Sequence, residues 1–191
     1  MPRHRFTDTK ERIERAAIAL FVKKGVAETT VRDIAQAVDI SEGALYRHFV
    51  GKEELVWALF ERHYVAFAGR LQALADSEAT ARGKLGAMIR GFSQGHDTDP
   101  TLFHFLLFVQ HGQLGKLSAD TPTPVTVMHG VLSNAIAAGE IPRQDANLAT
   151  AFAMGIVLQP MTFAAYGRLP QRQAPTSERL IAAAWAAVTT V

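Results

Sequence analysis

The chain has 191 residues, 48% of them hydrophobic and 20% charged, with a net charge of +2 and no cysteine. Such a chain can bury a core and is not disordered, and without cysteine it has neither a disulfide framework nor thiolate chemistry. Net charge alone does not announce a nucleic-acid partner, but its distribution is uneven: up to Lys52 there are ten Lys or Arg against seven Asp or Glu, and beyond it ten against eleven.

The N-terminal MPRHRFTDTK is basic, and no apolar run follows it as a secretory signal requires, so the chain reads as cytoplasmic. Arg3, His4 and Arg5 precede the first expected helix, either as an arm lying on DNA or as a solvated tail. That helix begins after Thr7 or Asp8 and carries an apolar face of Ile13, Ala16, Ala17, Leu20 and Phe21. Lys23, Lys24 and Gly25 end it, with cations at the negative end and glycine for the left-handed residue.

Val31, Ile34, Ala35 and Val38 place one stripe on a short second helix, with Thr30 as its cap and Asp33 answering as in a capping box. The pattern breaks at Asp39 and restarts after Ser41, a second cap. Ala44, Leu45 and Phe49 then mark the apolar side of a helix from about Glu42 to Phe49. Two short helices separated by a few residues form a helix-turn-helix. The outer face of the second suits a groove of DNA. Glu42, Gly43 and Ala44 are small or short enough to approach base edges, and Arg32 on the preceding helix can bond guanine bidentately. Tyr46, Arg47, His48 and Lys52 supply donors for phosphate oxygens.

A long helix from Lys52 to about Ala75 follows, with Leu55, Leu59, Phe60, Tyr64, Phe67, Leu71 and Leu74 along one stripe. It connects the first part to everything downstream. Further helices are expected at about 82–94, 100–111, 124–138, 145–166 and 177–189, separated by Gly- and Pro-containing breaks. No strand alternation is sustained, so the fold class is all-α. The expected domains are a three-helix DNA-binding domain over 1–51 and a larger helical domain over 52–191.

Four other features compete with this reading. Gly91-Phe92-Ser93-Gln94-Gly95, followed by His96, matches the G-x-S-x-G elbow of serine hydrolases, but the residues before Ser93 are helical in character and no parallel sheet exists to present it. Gly112 to Ser118 lacks the spacing of a phosphate-binding loop. The seven histidines include no i, i+4 pair and no carboxylate cluster, so neither metal nor cofactor is expected. The uncharged run from Ala146 to Gly167 approaches a membrane span in length, but its polar residues and Pro160 favour a helix buried inside a protein or dimer.

The run TDTKERIERAAIALFVKKGVAETTVRDIAQAVDISEGALYRHFVGKEEL, from Thr7 to Leu55, resembles the N-terminal domain of the tetracycline-repressor (TetR) family of bacterial regulators. The matching positions include Gly25, Thr29 to Val31, Asp33 to Ala35, Gly43 to Tyr46, His48-Phe49 and Lys52 to Leu55. The resemblance implies that the helix beginning at Glu42 enters the major groove. Arg32, Glu42, Gly43 and Ala44 would read bases there, and Thr30, Tyr46, His48 and Lys52 would hold the backbone. Gly51 departs from the pattern, which often has a capping side chain at that place.

The resemblance further implies a homodimer built from the last two helices. Ala149, Ala151, Ala153 and Gly155 are small enough for close helix packing, and the expected contact is Ala149, Phe152, Ala153 and Ile156 on one helix with Leu180, Ala184, Trp185 and Val188 on the other. It also implies an effector pocket, for which the aromatic and Met residues are candidates: Phe60, Tyr64, Phe67, Phe105, Phe108, Met128, Met154 and Phe163, with His104, His111 and Gln159 as polar groups. The same mix would serve as an ordinary core. The expected function is a repressor, not an enzyme, released from a palindromic operator by a small apolar effector. The alternatives are a hydrolase using Ser93 and a DNA-binding protein without an effector.

Overall fold

The first helix, α1 (Arg3–Lys24), begins before the expected start, so Arg3, His4 and Arg5 belong to it rather than preceding it. The computed structural model describes residues 3–169 and 175–190, with side chains from Thr9 onward, so the side chains of the expected arm lie outside the described residues. α1 ends where Gly25 takes φ +85° and donates its N–H to the Phe21 carbonyl at 3.0 Å. Then come α2 (Val31–Ala37), α3 (Glu42–Tyr46), α4 (Lys52–Asp76), α5 (Ala81–Thr98), α6 (Pro100–Gln113), α7 (Pro124–Ala137), α8 (Ala146–Ala165) and α9 (Ser177–Thr189). Among the described residues there is no strand, and a short 3-10 turn at Leu114–Lys116 is the remaining regular element.

The chain packs as two compact units. The first comprises residues 1–63 together with 99–119, and the second residues 64–98 together with 120–191, so α4 contributes to both. This division of the packing differs from the expected boundary at Gly51.

In the first unit, Ile13, Ala17 and Phe21 of α1 are buried with Ile34, Leu45, Leu55, Leu59 and Phe60. α6 packs on α1, where Phe105 stacks on Phe21 with ring centroids 6.0 Å apart. Arg62 of α4 grips the buried Glu14 of α1 through two parallel hydrogen bonds of 2.7 and 3.1 Å. A forked guanidinium on a carboxylate fixes both distance and orientation.

In the second unit, α8 packs against both α7 and α9, and α5 against α7 and α9. Leu85, Met88, Ile89, Met128, Leu132 and Val157 fill its centre, and Phe67 meets Phe92 edge to face at 5.1 Å. Gly91 has a packing reason: a Cβ there would come within 2.7 Å of a Leu74 methyl and 2.9 Å of a Leu71 methyl. Among the described residues α8 alone passes for a membrane span by length and composition, yet it is a packed helix of this unit. Its inward side is Ala149, Thr150, Ala153, Met154, Val157 and Met161.

Candidate nucleic-acid interface

The reading pair is fixed by local chemistry before any packing. Thr30 accepts from the Asp33 N–H at 3.1 Å, and Asp33 in turn accepts from the Thr30 N–H and hydroxyl, each at 2.9 Å. Lys24 pairs with the other Asp33 oxygen at 3.1 Å. The Thr30 backbone N–H, then the Lys24 and Thr30 side chains, hold the Asp33 carboxyl down to about 2. At the turn Asp39 takes φ 55°, a left-handed conformation that Asp tolerates better than most residues, and the Ile40 N–H reaches back to the Ala35 carbonyl at 3.0 Å. Ser41 then caps α3 by accepting from the Ala44 N–H at 3.2 Å.

α3 is shorter than expected. It ends at Tyr46, and the His48 and Phe49 N–H groups both return to the Leu45 carbonyl, at 2.8 and 3.1 Å, in a turn. Leu45 and Phe49 are buried beneath the pair, and Lys10 of α1 lies over the Phe49 ring at 5.6 Å. The opposite side faces out. Thr30, Arg32, Ser41, Glu42, Gly43, Tyr46 and Arg47 are exposed, and Ala44, His48 and Lys52 are half-buried.

Gly43 is informative because the protein itself does not require it. A Cβ there would meet nothing nearer than the Ser41 hydroxyl at 4.0 Å. Glycine in a helix costs about 1 kcal/mol relative to alanine, and no contact within the chain offsets that cost at Gly43, as none does at Gly69, Gly112, Gly130 or Gly155.

Lys52 is placed differently from its expected phosphate role. Its ammonium donates to the Val26 carbonyl at 2.9 Å and the Ala27 carbonyl at 3.2 Å, which commits two of its three N–H groups to the turn between α1 and α2. Gly51 serves as the start of α4 without a capping side chain, and Glu54 reaches back to the Val50 N–H instead. Two supports were not visible in the sequence. Arg12 of α1 donates to the Val38 carbonyl at 2.6 Å, and the fully buried Thr29 hydroxyl bonds to the Gly25 carbonyl at 2.8 Å. The first spans 26 residues and depends on the folded path of α1, while the second closes the turn that follows α1.

Residues 13–59 match the model of the family described as bacterial regulatory proteins, tetR family. This segment is thus an N-terminal DNA-binding domain of the tetR type. The uncharacterised HTH-type regulator YerO of Bacillus subtilis is 44% identical over 77 residues, 40% of this chain and 26% of that protein. The HTH-type transcriptional repressor KstR2 of Mycobacterium tuberculosis is 40% identical over 69 residues, 36% of this chain and 34% of that protein. The chain thus spans about a third or less of the length of these curated TetR-type relatives. Over nearly the whole chain the fold is that of solved TetR-family structures. A regulator of the tetR family from Rhodococcus RHA1 superposes with TM-score 0.75 at 21% identity, covering 96% of this chain and 98% of that one. FadR from Bacillus subtilis, solved with stearoyl-CoA, superposes with TM-score 0.72 at 20% identity, covering 95% and 98%. At these identities the likeness shows the fold alone.

The other expected sites are distributed as follows. Of the effector candidates, Phe60, His104, Phe105, Phe108 and His111 fall in the first unit, and Tyr64, Phe67, Met128, Met154, Gln159 and Phe163 in the second. Phe60, Phe105 and Met128 are fully buried, whereas Phe108, His111, Gln159 and Phe163 are exposed. Burial pushes the Tyr64 phenol up to about 12, so it stays neutral at ordinary pH. Of the expected dimer residues, Ala149, Ala153, Leu180, Ala184 and Val188 are buried within their own unit and Phe152 is exposed, with Ile156 and Trp185 between. The small residues therefore close the unit, and the outward stripe of α8 is Leu148, Phe152, Gly155, Gln159 and Phe163. Ser93 sits inside α5 and donates to the Ile89 carbonyl at 3.3 Å, four residues back, which is not the geometry of a strand-to-helix elbow.

Proposed function

We propose that the chain is a homodimeric transcriptional repressor that leaves an inverted-repeat operator when a small molecule binds. The observation that carries the reading is α3, a capped helix seated on Leu45 and Phe49, with an outer face that includes a glycine the fold does not need. Glu42, Gly43, Ala44 and Arg32 read base edges, and Tyr46, Arg47 and His48 hold phosphates. Thr30 and Ser41 serve first as caps. Lys52 braces the turn between α1 and α2 and so positions the reading pair.

The second copy covers α8. Leu148, Phe152 and Phe163 are exposed by 52%, 48% and 47%, and Tyr166 beyond them by 65%. These residues recur at helical spacing, and an apolar stripe of this size marks an interaction face. A two-fold axis through it would present two reading helices to half-sites ~34–36 Å apart or a multiple of that. The repressor name of KstR2 and the ligand bound to FadR support repression and effector response. A regulator of this kind works in the cytoplasm on double-stranded DNA.

Selection of bound duplexes from a random pool, at one stated salt concentration, tests the reading. An inverted repeat is the expected product. Recovery of no sequence by folded protein would overturn it.

A further inference from the structure

The second unit holds a cavity of about 310 Å³ where the C-terminal end of α5, the Pro160 turn of α8 and the start of α9 meet. Pro160, Met161 and Leu180 give it an apolar wall, while Ser93, His96, Asp97 and Ser177 supply its polar side. At ~30 Å³ for each water in the liquid, such a volume suits roughly ten heavy atoms.

The polar side specifies an uncharged ligand. The ionised group, Asp97, is 79% exposed at its side chain and already sits 3.3 Å from His96 Nδ1, so it neither welcomes an anion nor offers a desolvated partner to a cation. The inner groups are hydroxyls. Ser93 spends its proton on the Ile89 carbonyl, which leaves its oxygen able to accept from a donor in the cavity. Pro160 contributes no N–H to α8, and its ring takes the place of a hydrogen-bonding turn in the wall.

We propose that this cavity is the effector site and takes a compact neutral aromatic alcohol, its ring against Met161 and Leu180 and its hydroxyl donating to Ser93. The assignment rests on the ligand-responsive reading above, but binding can be measured without DNA. The probes are 2-phenylethanol and ethylbenzene, which share a ring and differ by the hydroxyl. With methyl-labelled methionine in the full chain, the Met161 resonance should move saturably with 2-phenylethanol while Met128 stays. Ethylbenzene should bind about tenfold more weakly, and Ser93→Ala should abolish that difference while keeping the fold. Ala164→Phe, which fills the cavity, should remove binding of both. Absence of a Met161 shift at millimolar 2-phenylethanol, a shift at Met128 instead, or an unchanged preference in Ser93→Ala would overturn the assignment. Saturable Met161 binding that leaves a selected DNA complex intact would uphold the ligand class and overturn its role as effector. Binding by a chain that selects no DNA would instead refute the regulator reading alone.

Discussion

Replacing Gly43 by alanine separates what the fold needs from what DNA needs. The added Cβ has only the Ser41 hydroxyl near it, at 4.0 Å, and Gly43 lies in α3 without a positive φ. No clash offsets the change in helix propensity, so the unfolding free energy should stay level or rise by up to about 1 kcal/mol. The methyl does, however, occupy the space through which a base edge would approach the backbone. Spoiling one good base contact costs about 1–3 kcal/mol, so affinity for the selected operator should fall roughly 5- to 150-fold. Denaturant unfolding and fluorescence anisotropy at one salt concentration measure the two quantities on the same preparation. A variant that gains stability and binds as tightly as the parent would refute the placement of Gly43 against DNA. One that loses stability would refute the claim that the fold does not need glycine there.

Lys52→Ala should lower the unfolding free energy by about 1–2 kcal/mol, since a charged donor leaves two carbonyls. The slope of log affinity against log salt should change by well under the ~0.9 of a lost phosphate contact, and a full change would restore the phosphate role. Asp33 carries a pH signature: its folded carboxyl titrates at about 2 against an ordinary 3.8, so its contribution is complete above the ordinary value and is lost as pH falls toward 2. Asp33→Asn should therefore flatten the acid loss of stability between those values, as followed by circular dichroism; an unchanged acid limb would sink the point. Phe152→Glu should yield monomers by sedimentation while leaving each chain folded, because the side chain is exposed in the single chain. A persistent dimer would move the interface elsewhere.

Helix positions were largely legible because their ends are written in local chemistry. Thr30 with Asp33, Ser41, Asp99 before Pro100 and Asp145 each cap the helix they precede. Misplaced ends lay where such a signal was weak: α5 runs on to Thr98 through Gly95 and His96, since the next cap is Asp99. The inward and outward sides of α8 were not legible at all. That helix is apolar on every side, so its sequence carries no phase, and its small residues Ala149 and Ala153 are buried within their own unit. The expected DNA face falls on exposed or half-buried residues, but the Lys52 pairing was not legible because its partners, Val26 and Ala27, lie 25 or more positions away. The polar side of the cavity beside Pro160 was not legible for the same reason, since α5 and α9 meet only in the folded chain.

The first unit draws α6 from beyond α5, so the reading head is not a detachable N-terminal segment. A chimera cut after α3 or midway along α4 would leave Phe21 without the ring of Phe105 and expose the α1 surface that α6 covers. Transplanting this specificity to another scaffold therefore means carrying residues 99–119 as well, or supplying a recipient helix shaped to receive α1. The chain must also close a 35-residue excursion, 64–98, before α6 can cover α1, so the first unit is completed only after α5 has been made.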